Sequence, residues 1–158
     1  MSDVRWLNER EERAWRALQF MQMRLTSRLA RDLAATSELS YPDYLVLVTL
    51  TDRPDGRTRL HELAADLGWE KSRLSHQVAR MGERGLVTRE KCDHDRRGAY
   101  VVVTARGRKA IEAAAPRHVE TVRRLFIDQL TPQQLDTIGA AAETVLAALS
   151  EDVDEADG

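Results

Sequence analysis

The spacing of apolar side chains predicts a long helix at the start of the chain. From Leu7 to Ala35 there is neither proline nor glycine, and apolar residues recur every three or four positions, which is typical of one helical face. The residues of this stripe are Trp15, Leu18, Met21, Leu25 and Leu29. A helix of this length has little use in a small globule unless its apolar stripe packs against a partner.

A second helix is predicted from Tyr41 to about Thr51. Ser40 and Asp43, three positions apart, resemble a helix-capping pair, and a proline is tolerated in the first turn. The apolar run that follows would also fit a strand. The segment Asp52–Gly56, with the sequence DRPDG, predicts a turn.

Two short amphipathic helices follow, joined by a tight turn. The first extends from Leu60 to Gly68 and the second from Lys71 to Arg84, and Gly68 and Gly85 are placed to end them with a positive φ. Their apolar positions are Leu60, Leu63, Ala64 and Leu67 in the first helix and Leu74, Val78 and Met81 in the second. Two such helices with a glycine in the turn predict a helix-turn-helix.

A β-hairpin is predicted next. Leu86–Lys91 and Ala99–Thr104 are rich in β-branched residues, and Asp93–Gly98 connects them. The connection contains two acids, a histidine and two adjacent arginines, which is an unusual amount of charge for a hairpin turn.

Two helices complete the predicted element order. The first has Thr104 as N-cap and extends to about Leu130, and Pro116 is expected to kink or divide it. The sequence TPQQ at Thr131 predicts the start of the last helix. Its apolar positions are Leu135, Ile138, Ala142, Val145 and Leu149. The segment 151–158 has five acidic side chains and no basic one, which predicts disorder.

The second helix of the predicted helix-turn-helix carries side chains suited to DNA. In such a unit this helix enters the major groove through its N-terminal residues, where arginine pairs with guanine and glutamine with adenine. Short hydroxyl side chains suit phosphates. The candidate DNA-binding residues are Lys71, Ser72, Arg73, Ser75, His76, Gln77 and Arg80. Those expected on the outer side, opposite the apolar stripe, are Arg73, His76, Gln77 and Arg80.

Charge is distributed unevenly along the chain. The formal net charge of the 158 residues is −2, whereas Lys71–Lys109 contains eleven basic and four acidic side chains, a net charge of +7. Nucleic-acid binding needs a local basic face and not a basic total. The distribution therefore favours double-stranded DNA as a partner.

Composition points to a cytoplasmic protein. Its hydrophobic content of 42% is close to ordinary globular usage. The single cysteine, Cys92, excludes an internal disulfide framework and fits a reducing cytosol. No apolar run approaches the ~20 residues of a membrane span, and Met1–Arg10 lacks the apolar core of a signal peptide. We expect no membrane partner.

Three motifs in register resemble the MarR (multiple antibiotic resistance regulator) family: LHELAADLGWEKSRLSHQVARMGERGLVTRE, the DRR at Asp95–Arg97, and VVVTARG. The resemblance covers nearly the whole chain. It implies a mainly α fold with a small β-hairpin, in which a winged helix-turn-helix lobe is flanked by long N- and C-terminal dimerisation helices. The implied regions are 1–38 (N-terminal helix of the dimerisation lobe), 39–104 (DNA-binding lobe), 105–150 (C-terminal helices of the dimerisation lobe) and 151–158 (disordered tail).

The resemblance also implies a role for the charged hairpin tip. In the family pattern the arginine of an Asp-x-Arg motif reaches into the minor groove and the aspartate holds it. These positions are Arg97 and Asp95 here, and Arg96 is a candidate phosphate contact. The chain departs from the pattern ahead of Lys71, where Glu70 takes the place of a Ser, Thr, Asp or Asn cap and would suit the helix dipole instead.

The leading hypothesis is a homodimeric, sequence-specific DNA-binding transcriptional regulator that acts as a repressor. Two-fold symmetry predicts a pseudo-palindromic operator with half-sites about 10 bp apart. No catalytic motif is present, so neither an enzyme nor a cofactor is predicted. Many members of the family bind small, often aromatic, effectors. The candidate effector-pocket residues are Trp6, Trp15, Met21, Met23 and Tyr44, which would equally fit a helix core or a dimer seam.

Other functions stay open. A winged-helix protein-association module without DNA binding would have an apolar outer face on the second helix of the helix-turn-helix. A thiol-based redox regulator would use Cys92. The cluster of Cys92, His94 and the neighbouring acids lacks the second ligand pair of a zinc site, so no metal is predicted.

Overall fold

The computed structural model describes residues 4–92 and 95–156, and the side chains of residues 92, 95–97 and 151–156 lie outside the described part. The elements follow the predicted order with one additional strand. They are α1 (Glu9–Thr36), α2 (Tyr41–Thr51), β1 (Arg57–Arg59), α3 (Leu60–Leu67), α4 (Lys71–Glu83), β2 (Val87–Cys92), β3 (Asp95–Val103), α5 (Ala105–Leu125), a 3₁₀ turn (Ile127–Gln129) and α6 (Pro132–Ala156).

Side-chain caps fix the starts of α1, α2 and α5. The Ser40 and Asp43 pair at α2 is confirmed as a reciprocal capping box, since the Asp43 amide donates to Ser40 Oγ (3.2 Å) and the Ser40 amide to Asp43 Oδ2 (2.9 Å). α1 begins with an equivalent box between Asn8 and Glu11, which was not predicted. The Thr104 cap of α5 is also confirmed, because Thr104 Oγ1 accepts from the Gly107 amide at 3.0 Å.

A three-stranded antiparallel sheet, in the order β1-β3-β2, replaces the predicted isolated hairpin. β1 pairs with β3 so that Thr58 lies opposite Val101. A strand of three residues is too short to show an alternating pattern, so the sequence did not indicate it. β3 also begins earlier than expected, at Asp95 instead of Ala99, and the positions 93 and 94 of the predicted connection lie outside the described residues.

The hydrophobic core lies between the first five helices and the sheet. Most of its fully buried members come from α2, α3, α4 and the strands, and they include Leu47, Leu63, Leu74, Met81 and Val101. The predicted inward stripes of α3 and α4 are confirmed in this core. Only the C-terminal part of α1 joins it, through Leu33.

The structure changes two predictions for the C-terminal helices. Of the two outcomes expected at Pro116, a kink or a division, division is wrong, because α5 continues through this proline from Ala105 to Leu125. Proline removes a single helical hydrogen bond, and the buried side chains of Ala110, Ile111 and Ala114 hold the preceding turns. Disorder was predicted from Glu151, whereas α6 continues to Ala156, because no proline or glycine interrupts it before Gly158.

The chain forms two compact units, Met1–Val119 and Glu120–Gly158. The core described above belongs to the first. In the second, the predicted cap of α6 is confirmed: Thr131 Oγ1 accepts from the Gln134 amide at 3.2 Å, and Gln134 Oε1 accepts from the Thr131 amide at 2.9 Å. Among the described residues, no helix combines the length and the apolar content needed to cross a membrane.

Candidate nucleic-acid interface

The turn between α3 and α4 sets the direction of α4. Gly68 has φ 63° and ψ 33°, a left-handed conformation that favours glycine at a helix end. The amide of Trp69 then donates to the carbonyl of Ala64 at 2.9 Å and closes the turn. With its apolar side anchored in the core by Leu74 and Val78, α4 presents the opposite side to solvent.

Most of the candidate DNA-binding residues lie on this outer side. Ser75 is half-buried, and the exposed members are Lys71, Ser72, Arg73, His76 and Arg80. The side chains of α4 are all described, and alanine is the largest apolar residue exposed on it. This face is therefore polar and basic, which differs from the apolar outer face expected for a protein-association module.

The prediction that Gln77 shares the outer side is wrong. Gln77 is only 6% exposed, and its Nε2 donates to Asp43 Oδ1 at 2.6 Å. It lies three residues after Leu74 and four after Arg73, at the border between the buried and exposed sides of the helix. The carboxylate of Asp43 draws it inward, so Gln77 is not available to read a base in this conformation.

Asp43 is itself a buried carboxylate that the sequence marked only as a capping residue. It is 2% exposed and forms an ion pair with Arg84, whose Nη1 lies 2.6 Å from Asp43 Oδ2. Arg84 Nη2 donates in addition to the carbonyl of Glu38 at 2.7 Å. This contact joins the end of α4 to the start of α2. Its two residues are 41 positions apart, so no local sequence pattern predicts it.

Trp69 forms a platform for Arg73. Its half-buried ring packs against the core, and the guanidinium carbon of Arg73 lies 4.2 Å from the ring centroid. A cation at this distance is attracted by the aromatic face. Glu70 occupies the N-cap position of α4 without a side-chain capping hydrogen bond, so the departure from the usual cap is confirmed. The Trp69 ring, which precedes α4, thus holds the side chain of Arg73 in the first turn of the helix.

A further basic residue joins α4 to the sheet. Arg89 of β2 donates from Nη2 to Ser75 Oγ at 2.7 Å. Ser75 therefore has a protein partner on the strand, where a phosphate contact was predicted. The signal that could have identified Arg89 is its position in a basic strand that follows the helix-turn-helix.

The predicted wing contacts lie outside the described side chains. The backbone of β2 and β3 is described, with Cys92 opposite Asp95 and an irregularity in the register between Lys91 and Cys92. The side chains of Asp95, Arg96 and Arg97 are not part of the description, so their roles stay predictions. The same holds for Cys92 as a redox sensor.

The candidate effector residues do not come together in one pocket. Trp6, Trp15 and Met21 are 83%, 53% and 38% exposed, and Met23 is exposed as well, whereas Tyr44 is buried in the core at 8%. Tyr44 instead lines a hollow of about 220 Å³. The other residues that line it are Val48, Thr51, Arg108, Ile111, Glu112 and Ala115.

Next to this hollow the ring of Tyr44 packs on the imidazole of His118, with the ring centroids 4.4 Å apart. Burial lowers the pKa of His118, although the charge of Asp32 opposes this effect. Burial also raises the pKa of Tyr44, and Tyr41 and Asp52 add to that increase. Both rings are therefore favoured in their neutral forms near neutral pH. The described side chains contain no group of three or more His, Cys, Asp or Glu residues arranged to hold a metal ion.

A helix-turn-helix with an exposed basic second helix, followed by a β-hairpin in a small sheet, defines a winged-helix DNA-binding protein. Residues 37–98 match the model of the MarR family. The chain is 34% identical over 98 residues to the transcriptional regulator HosA of Escherichia coli, an alignment that covers 61% of this chain and 70% of HosA. This chain belongs to the MarR family.

Solved structures agree with this assignment over almost the full length. AbsC, a MarR family regulator of Streptomyces coelicolor, is 39% identical, with a TM-score of 0.85 and coverage of 94% of this chain and 99% of AbsC. Sco3205, a MarR family regulator of the same organism solved in complex with DNA, is 36% identical, with a TM-score of 0.86 and 92% coverage of each chain. The family and these relatives are transcriptional regulators and not enzymes, as expected from the sequence.

Proposed function

We propose that the chain acts as a homodimeric transcriptional repressor in the cytoplasm, where it binds a pseudo-palindromic operator. The observation that carries this proposal is the exposed, basic N-terminal half of α4, which has the position of a recognition helix. Arg73 and His76 read base edges in the major groove, and Lys71 and Ser72 contact phosphates. The relative Sco3205 was solved in complex with DNA, which supports DNA as the partner of this chain.

Exposed apolar side chains support the homodimer. Contiguous apolar patches on a soluble chain mark interaction surfaces. On α1 the large exposed apolar side chains are Trp15, Leu18, Phe20, Met21 and Met23. On α6 they are Ile138, Val145, Leu146 and Leu149. A second copy of the chain would bury both sets, and would give the two recognition helices the symmetry that a palindromic site requires.

In this proposal the wing adds a contact in the minor groove. Arg97 enters the groove and reads its width and potential, Asp95 orients Arg97, and Arg96 contacts a phosphate. Because phosphates are neutralised, log affinity should fall linearly with log salt concentration.

In-vitro selection of bound DNA from a random pool tests the proposal, combined with sedimentation of the free protein and of the complex. We expect an enriched site with two-fold symmetry, half-sites ~10 bp apart, and a dimer in both states. A selected pool without a common sequence, or an asymmetric site bound by a monomer, would contradict the proposal.

Release by a small aromatic effector is a second, separable proposal, favoured by the hollow beside Tyr44. A cavity of about 150 Å³ accommodates benzene, and this hollow measures about 220 Å³ with Arg108 and Glu112 both at its wall. We expect a small aromatic compound to release the operator, and Val48→Trp, which fills the hollow, to abolish release while DNA binding persists. Equal release of the wild type and of Val48→Trp would exclude this site.

A further inference from the structure

A chain of hydrogen bonds leads from the buried carboxylate of Asp43 to an exposed arginine of α4. Asp43 Oδ2 accepts from the Ser40 amide at 2.9 Å and from Arg84 Nη1 at 2.6 Å. Asp43 Oδ1 accepts from Gln77 Nε2 at 2.6 Å, and Gln77 Oε1 accepts from Arg80 Nη2 at 2.7 Å. The two oxygens of Asp43 thus have different partners: Oδ2 binds groups at the ends of two helices, and Oδ1 binds a side chain within α4.

The charge of Asp43 determines the direction of this chain. An ionised carboxylate only accepts hydrogen bonds, so the amide of Gln77 must present its NH₂ group to it. The carbonyl oxygen of Gln77 then points the other way, and guanidinium groups only donate, so Arg80 is the partner that this oxygen can satisfy. At 6% exposure Gln77 has little access to water that might compete. If the amide of Gln77 were reversed, its NH₂ group would face the guanidinium of Arg80, and two donors would meet without an acceptor.

Fixing Arg80 matters because its side chain is long and exposed. A free arginine loses rotamer entropy when a partner binds it, and pre-organisation removes part of that cost. We infer that Asp43 is a positioning residue for DNA recognition: it orients Gln77, and through Gln77 it holds the Arg80 guanidinium on the outer side of α4 before DNA arrives. This inference rests on the proposed role of α4 in the major groove.

The two oxygens of Asp43 allow this role to be separated from a structural one. The contact of Oδ2 with Arg84, and that of Arg84 with the Glu38 carbonyl, joins helix ends and serves stability. The contact of Oδ1 with Gln77 leads to Arg80. Replacement of Gln77 by Met keeps the length and the buried position of the side chain and leaves the Asp43 and Arg84 pair in place, but removes the link to Arg80.

The experiment is a double-mutant cycle on the full-length protein, with affinity for the selected operator measured by fluorescence anisotropy. Asp43→Asn and Gln77→Met are each combined with Arg80→Ala. We expect each to weaken binding about two- to tenfold, the cost of ordering one long side chain, and to have no further effect in the Arg80→Ala background. In this inference the positioned Arg80 contacts a base edge, so the same operator positions should lose their base preference in Asp43→Asn and in Arg80→Ala.

Ser40→Ala is the matched control, because it removes the hydroxyl cap of the same helix but leaves both oxygens of Asp43 with their partners. We expect it to lower the melting temperature and to leave the base preferences unchanged. Equal losses of affinity with and without Arg80, or full affinity in Gln77→Met, would overturn the inference. Failure of the wild type to bind any DNA would instead overturn the proposed function.

Discussion

Two glycines inside helices meet different surroundings, and the same substitution should therefore have opposite effects on stability. A Cβ on Gly107, in the first turn of α5, would overlap the carbonyl oxygen of Leu86 and lie 3.0 Å from Val103 Cγ2. A Cβ on Gly82, in α4, would meet nothing closer than the Val87 carbonyl oxygen at 3.8 Å, an ordinary contact. Neither glycine has a positive φ, so backbone strain does not contribute at either position.

The magnitudes follow from helix propensity and packing. Alanine is more favourable than glycine in a helix interior by about 0.8–1 kcal/mol, so Gly82→Ala should raise the free energy of unfolding by about 0.5–1 kcal/mol. At Gly107 overpacking opposes this gain by about 1–3 kcal/mol. The Leu86 carbonyl has little freedom to move, because it accepts from the Thr104 amide at 3.1 Å and from Thr104 Oγ1 at 3.0 Å. We expect Gly107→Ala to lower the free energy of unfolding by about 1–2 kcal/mol.

Urea denaturation followed by circular dichroism measures both changes. Protein concentration must be equal across variants, because the apparent stability of a dimer depends on it. A Gly107→Ala variant as stable as the wild type would refute the close approach of α5 to the turn after α4. If Gly82→Ala lowered the free energy of unfolding as much as Gly107→Ala, then helix propensity and contact distance would not explain the stability of these variants.

Four further outcomes test the site and the fold. Trp69→Leu should weaken operator binding about two- to fivefold through loss of the cation–π contact, and should have no effect in an Arg73→Ala background; equal losses in both would exclude the platform role. Arg97→Ala should lower operator affinity about tenfold or more, as loss of a hydrogen bond from a charged group worth about 1.5–3 kcal/mol implies, with thermal unfolding unchanged. Burial lowers the pKa of His118, so the imidazole binds a proton more readily in the unfolded chain than in the folded one. The contribution of neutral His118 to the free energy of unfolding is therefore complete above pH ~6.5 and is lost as pH falls below that value. Unfolding of His118→Gln across pH 5–7.5 should show a smaller acid loss than the wild type. Leu146→Glu should shift sedimentation towards the monomer, and an unchanged dimer would exclude this part of α6 from the interface.

The starts of α2 and α6 were predictable from the sequence because their caps are local. Ser40 and Asp43 lie three positions apart, and Thr131 and Gln134 have the same spacing, so four residues contain the whole interaction in each case. The exposed basic residues of α4 were predictable for a similar reason, since helical periodicity fixes which side chains oppose an apolar stripe.

The position of Gln77 was not predictable, because its partner Asp43 is 34 residues away and helical periodicity leaves a border residue undecided. Arg73 shows the complementary case: its exposure follows from the pattern, whereas its contact with Trp69 depends on how the turn folds. Sequence patterns therefore predicted the exposed basic side of α4 but not the contacts that orient its side chains.

The order of strands in the sheet bears on solubility. β3 is the central strand, so the two edges belong to β1 and β2. The first edge has only three residues, two of them arginine, and the second contains the charged run Arg89–Lys91. A short edge and a charged edge are both poor templates for strand addition by another chain. The edges of the sheet therefore offer no long apolar strand at which another chain would add and the protein would aggregate.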